Sequence, residues 1–87
     1  MKYSKRAWDQ LKSITCDRLV SALEQDGWIF DTGKGSQRIY RKIIDDIVHR
    51  VSIHYHAQKT YGANLLKSLL EDIGWSEDDM RRLKLIK

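Results

Sequence analysis

Apolar residues recur along this chain with two different periods. In "TCDRLVSALEQDG", Leu19, Val20 and Leu23 make one face with Cys16 beside it, the spacing of an amphipathic helix. Thr15 suits its N-cap, Asp17 its first turn and Gly27 the residue just past its end. A second helix is predicted in "GANLLKSLLEDIGW", with Leu65, Leu66, Leu69, Leu70 and Ile73 inward and Gly74 as terminator. "SEDDMRRLKL" opens with Ser76 followed three residues later by Asp79, a capping-box pattern, and Met80 and Leu83 give it a small apolar face. At the N-terminus Tyr3, Ala7, Trp8 and Leu11 also repeat at helical spacing, among Lys2, Lys5, Arg6 and Lys12. That predicts a short basic helix or arm, frayed or not, whose Trp8 packs on the domain.

The middle of the chain is ambiguous. "WIFDT" is an aromatic and β-branched run that reads as a strand, broken by Gly33 and Gly35. Beyond it, Ile39, Tyr40, Ile43, Ile44, Ile47, Val48 and Val51 stand at helical spacing, and periodicity alone favours a helix. The competing reading is two strands, "QRIYRK" and "HRVSIHYH", joined by a turn around Asp45 and Asp46. Alternation supports the second strand: Val51, Ile53 and Tyr55 point one way, Arg50, Ser52, His54 and His56 the other.

With 87 residues the chain forms one domain, and a domain of that size buries roughly 60–65% of its unfolded surface. Hydrophobic content of 41%, with three Trp and four Tyr, requires a folded chain. The net charge of +4 suits nucleic acid or an acidic partner protein. Cys16 is the only cysteine, so no intramolecular disulfide or cysteine metal cluster can form, and a buried small residue is its better reading. No apolar run approaches the ~18 residues of a membrane span, and "MKYSKRAWDQ" lacks a signal-peptide apolar region, so a cytoplasmic location with no membrane partner is expected.

Candidate chemistry lies in "DTGKGSQRIYRK" and in the histidines after it. Lys34, Gly35 and Ser36, with Gly33, offer backbone N–H groups to a phosphate, or form a β-turn that needs glycine for positive φ. They do not match the phosphate loop of nucleotide hydrolases. Lys34, Arg38, Arg41, Lys42 and Lys59 can neutralise a phosphate backbone, or make a solvated hairpin. On one strand Arg38 and Lys42 share a face and Arg41 takes the other. Tyr40 shares the Arg38 face, where it can stack on a base. Alternation sides Gln37 with Ile39, read as core, so Gln37 reaches a site only if the strand starts at its rim. His54 and His56 lie together on a strand face with Arg50 and Ser52, the open face if the helices cover Val51, Ile53 and Tyr55. The alternative is two surface histidines without a role, or histidines packed with Tyr40 or Tyr55. Two histidines can chelate, but no third ligand is evident and Lys59 is cationic, so neither metal nor cofactor is expected.

"LVSALEQDGWIF", "GKGSQRIYRK" and "RVSIHYHAQKTYGANLLKSLLEDIGW", in that order, resemble the HicA family of toxin ribonucleases over roughly residues 13 to 83. The resemblance implies an α+β, double-stranded-RNA-binding-like α-β-β-β-α fold: a three-stranded antiparallel sheet with helices on one face. Residues 14–87 would form this core, 1–13 an additional basic helix or arm, with a short C-terminal helix. It favours the hairpin over the helix for residues 37 to 56. It implies cleavage of messenger RNA (mRNA) without the ribosome, inhibition by a HicB-like antitoxin, and a monomer alone or a hetero-oligomer with that antitoxin.

Two positions depart from the family pattern. The His of its Gly-Ser-His loop, the presumed catalytic residue, falls on Gln37, and the proline of its Val-Thr-Ile-Pro-x-His strand falls on His54. Metal-independent RNA cleavage needs a base for the 2′-hydroxyl and an acid for the leaving 5′-oxygen, roles that suit histidine. Gln exchanges no proton at useful pH and can only orient or hydrogen-bond. The expected catalytic set is therefore Gln37 (as the family His position), His54 and His56; the expected RNA-binding set is Lys34, Gly35, Ser36, Arg38, Tyr40, Lys42 and Lys59. Three functions stay open: a cleaving toxin, an inactive RNA-binding or antitoxin-binding domain, and a domain whose basic face meets an acidic protein.

Overall fold

A computed structural model describes residues 3–56 and 59–87; Lys2, counted above in the basic N-terminus, lies outside them. The elements run α1 (Lys5–Leu11), α2 (Cys16–Gln25), β1 (Ile29–Lys34), β2 (Gln37–Ile44), β3 (Ile47–His54), α3 (Ala63–Ile73) and α4 (Glu77–Arg82). The strands form one antiparallel sheet in the order β1-β2-β3.

The local chemistry of the helix ends accounts for their boundaries. Thr15 Oγ1 accepts from the Arg18 N–H and caps α2. The helix ends at Gly27, whose φ of +96° lets its own N–H reach Glu24 O and the Trp28 N–H reach Leu23 O. These two hydrogen bonds satisfy carbonyls the helix leaves unpaired and turn the chain into β1. Ser76 and Asp79 form the reciprocal capping box at α4.

The ambiguous middle is a hairpin. Asp45 and Asp46 both take positive φ, 52° and 66°, as a two-residue type I′ turn requires. Tyr40, Val51 and Ile53 turn inward beneath the helices at 3%, 2% and 0% exposure. The residues that lent the segment its helical rhythm, Ile43, Ile44, Ile47 and Val48, flank the turn and are all exposed. They extend β2 and β3 towards the turn beyond the strands read from the sequence, and β3 ends at His54.

One core joins α1 to α4 with the inner sheet face. Of the two N-terminal alternatives, helix or arm, the structure has the helix, docked as part of this core. Tyr3, Ala7 and Leu11 are buried, the Tyr3 hydroxyl donates to Trp75 O at 2.8 Å, and Ser4 donates to the Glu77 carboxylate. Trp8 packs against the core, as expected. Asp26 ties α2 to the C-terminal third: its carboxylate accepts from Trp75 Nε1 (2.8 Å), Trp28 Nε1 (3.3 Å) and Arg82 (2.6 Å), and pairs with Lys42 (3.1 Å). Burial raises the pKa of this carboxyl, but the bonds from Trp75, Arg82 and Lys42 outweigh it and hold the group below its usual range.

Candidate nucleic-acid interface

The helices cover one face of the sheet, and β2 and β3 project alternate residues to the other. Cross-strand partners share a face, so the register reads out the open surface row by row. The first row, beside the β1–β2 turn, is Lys34, Gln37 and His54. Thr32, Ile39 and Ser52 form the next, and Ile29, Arg41 and Arg50 the third. Gln37 and His54 are therefore direct partners, both exposed, and the Gln37 amide donates to Ser52 Oγ at 3.0 Å.

Two expectations about faces are reversed. Gln37 does not side with the core, because Ile39 faces outward. Tyr40 takes the inner position, 3% exposed, with its ring edge-on to Phe30 at 5.9 Å, so it has no face free to stack on a base. The reason is packing: Tyr40 pairs with Val51 and Phe30, and only that choice puts Val51 and Ile53 under α3.

Arg38 and Lys42 share the Tyr40 side of β2 and do not join the row of Gln37. The Arg38 guanidinium stacks on the Tyr55 ring, 3.8 Å from its centroid, and Lys42 pairs with Asp26. Gly35 and Ser36 form a tight two-residue turn with Gly35 at φ +62°, and Lys34 is the last residue of β1. The segment is thus a hairpin turn. Gly33 is required for a different reason: a Cβ there would lie 2.7 Å from the Gln37 carbonyl oxygen.

Contacts to the start of α2 hold the end of β3. The Cys16 thiol donates to the His54 carbonyl at 3.5 Å, the Tyr55 hydroxyl donates to Asp17, and the Tyr55 N–H donates to Ser36 O at 2.7 Å. The bond to Asp17 holds the Tyr55 phenol above its ordinary pKa. Beyond the strand the His56 carbonyl accepts from the Lys59 N–H, the Lys59 carbonyl accepts from the Cys16 N–H, and Thr60 bridges to Thr15. His54, His56 and Lys59 are all exposed. Cys16 is buried and so acts as a packing and anchoring residue. Among the described residues no three His, Cys, Asp or Glu side chains group as metal ligands, and no helix is long and apolar enough to cross a membrane.

Two features escaped the sequence reading. On the open face, Asp31 lies between Arg41 and Arg50, at 3.0 Å from each. Cation count alone could not pair these arginines; the β2–β3 register does. The other is an apolar end to the sheet, where Ile29, Phe30, Ile43, Ile44, Ile47 and Val48 are each between 37% and 66% exposed. By register Ile29, Ile43 and Val48 lie on the open face and Phe30, Ile44 and Ile47 on the other.

Comparison with curated proteins and with solved structures returned no match. A family model described as the HicA toxin of bacterial toxin–antitoxin systems matches residues 16–75, which run from the start of α2 to just past α3 and leave out α1 and α4. That span covers well over half of the chain and holds the whole sheet with both expected site strands, and the chain belongs to the HicA family of toxins.

Proposed function

We propose that this toxin binds RNA across the open face of its sheet and cleaves it at the Lys34–Gln37–His54 row by metal-independent acid–base chemistry. The observation that carries this reading is the direct pairing of His54 with Gln37, the position where the family pattern has histidine. A proton-transfer group is absent from one strand and present on its neighbour, on the same exposed face.

The chemistry draws on the groups of that row together with His56, two residues past His54 and also exposed. One imidazole takes the proton of the 2′-hydroxyl, whose oxygen then attacks the adjacent phosphorus. The P–O5′ bond breaks, and the second imidazole, protonated, gives its proton to the leaving 5′-oxygen. The products are a 2′,3′-cyclic phosphate and a 5′-hydroxyl. Of the three histidines, His49 pairs with Lys42 away from this row, and His54 and His56 take the two roles. Lys34 offsets the charge that builds on the phosphoryl oxygens, and Gln37 orients the phosphate by hydrogen bonding. The substrate is mRNA in the cytoplasm.

A second reading, a non-cleaving toxin that retains its partners, is favoured by Gln37 itself, which cannot exchange a proton. The family implies a cognate antitoxin as partner. The exposed aliphatic end of the hairpin supports docking of that HicB-like protein there, giving a hetero-oligomer.

The test is incubation of the purified chain with long RNA beside a His54→Ala/His56→Ala double variant. Cleavage that the double variant loses, with cyclic phosphate ends, supports the first reading. Salt-dependent RNA binding without cleavage supports the second. Neither binding nor cleavage sinks both RNA readings.

A further inference from the structure

Asp31 is the extra residue of a β-bulge. Phe30 pairs with Tyr40 and Thr32 with Ile39, so Asp31 has no partner of its own on β2. Bulges re-aim the side chains they carry. This one delivers a carboxylate between two guanidiniums that are themselves cross-strand partners: Arg41 Nη1 donates to Oδ1 and Arg50 Nε to Oδ2, each at 3.0 Å. The triad spans all three strands and carries one net positive charge. The bonds from Arg50 and Arg41 hold the Asp31 carboxyl below its ordinary range, so it stays anionic.

Both guanidiniums keep donors to spare. Arg50 binds Asp31 through Nε, which leaves the N–H groups of its two terminal nitrogens for another acceptor, and its side chain is 58% exposed; that of Arg41 is 41% exposed. A planar fork of N–H groups matches two oxygens of one phosphate. Because Asp31 already fixes both forks, little side-chain freedom remains to be lost when an anion binds. Arg41 lies four residues from Gln37 along β2, about 13 Å at the rise of a strand, on the same open face. The uncharged row of Thr32, Ile39 and Ser52 separates them.

We propose that the Arg41–Arg50 pair, braced by Asp31, is a subsite for one backbone phosphate of single-stranded RNA, a short run of nucleotides away from the bond presented to His54. The proposal rests on the reading of the open face as the RNA surface and adds the direction of the strand, along β2 from the Lys34 row towards the hairpin. Asp31 is a positioning residue in this arrangement. The same triad also ties three strands together, so the test must separate binding from stability.

The probe is an end-labelled 2′-O-methyl RNA oligonucleotide, which lacks the attacking hydroxyl and stays intact. Its affinity is measured by fluorescence anisotropy at several salt concentrations, with thermal unfolding of each protein alongside. Each phosphate neutralised on a single strand contributes about 0.7 to the slope of log affinity against log salt. Arg41→Ala/Arg50→Ala should lower the slope by about 0.7. Arg41→Lys/Arg50→Lys, which keeps both charges and loses both forks, should keep the slope and bind on the order of tenfold more weakly. A folded Ala/Ala variant with the parental slope overturns the subsite while leaving RNA binding by the face intact. Should the Ala/Ala pair fail to fold, parental affinity in the Lys/Lys pair overturns it instead. Absence of salt-dependent binding by the parent removes the proposal together with the reading beneath it. Loss of antitoxin binding at unchanged RNA slope assigns the arginines to a protein partner and also overturns it.

Discussion

Gln37 and His54 face each other across the β2–β3 ladder, on the side of the sheet that the helices leave bare. A histidine placed at position 37 would therefore stand beside His54, whose backbone is held by the Cys16 bond to its carbonyl and by the neighbouring Tyr55 contact to α2. If the parent lacks one proton-transfer group, as in the non-cleaving reading, Gln37→His is expected to raise RNA cleavage by about 10²–10⁴-fold, the usual worth of a general acid or base. If His54 and His56 already fill both roles, the gain is small. The rate of fragment formation from long RNA measures it. A variant no faster than the parent would show that position 37 takes no part in proton transfer.

Gly33→Ala should damage both fold and site. The new Cβ would meet the Gln37 carbonyl oxygen at 2.7 Å and the Phe30 ring at 3.2 Å. The first neighbour is backbone and cannot swing away. The expected loss is about 1–3 kcal/mol, read from urea unfolding, together with weaker RNA binding as the start of β2 shifts. Parental values of both would mean that the β1–β2 ladder yields freely here.

Asp26→Ala removes the acceptor shared by Trp75, Trp28 and Arg82 and the ionic partner of Lys42. Its side chain is 9% exposed, so both indole N–H groups lose a partner in a place where water reaches poorly. We expect a cost of about 3 kcal/mol and a clear drop in melting temperature. A loss within about 0.5 kcal/mol would place Asp26 among ordinary surface positions.

Stability should fall on the acid side. Asp26 and Asp79 have folded pKa values below their unfolded ones, Asp79 chiefly through the Ser76 backbone N–H, and Asp31 is shifted the same way by Arg50. A depressed carboxyl contributes stability that is complete above the unfolded pKa, about 3.9, and is lost as pH falls through the folded value. The unfolding free energy is therefore expected to be level near neutrality and to decline below about pH 4. Asp26→Asn should lower the plateau and flatten the decline. An unchanged acid slope in that variant would deny Asp26 its share.

Ile43→Lys/Ile47→Lys tests the hairpin end. Both side chains are more than 60% exposed, so the change should move monomer stability by no more than about 0.5 kcal/mol per site. It should weaken the complex with the cognate antitoxin, measured by calorimetry. Parental affinity would put the antitoxin elsewhere.

Much of this architecture is legible residue by residue. The caps at Thr15 and Ser76, the glycine stop at Gly27 and the acidic hairpin turn depend on contacts within a few positions, and the sequence displays them. The apolar spacing from Ile39 to Val51 misleads, because it sums an inward set, Tyr40 and Val51, with an outward set around the turn. The N-terminal helix shows in its apolar spacing but its docking does not, since Tyr3 and Ser4 meet Trp75 and Glu77 more than seventy residues away.

What the sequence by itself determined is therefore the helices, the turns, the family pattern and the anomaly at Gln37. Only the tertiary structure decided which face of β2 is outward. Alternation defines two faces and says nothing of which one the helices will cover; the packing of Tyr40 with Phe30 and Val51 chose. That choice turned Gln37 towards His54 and took Tyr40, Arg38 and Lys42 out of the site. It also brought Arg41 and Arg50 together around Asp31, a pairing that depends on register and a bulge, which arise only when three strands meet.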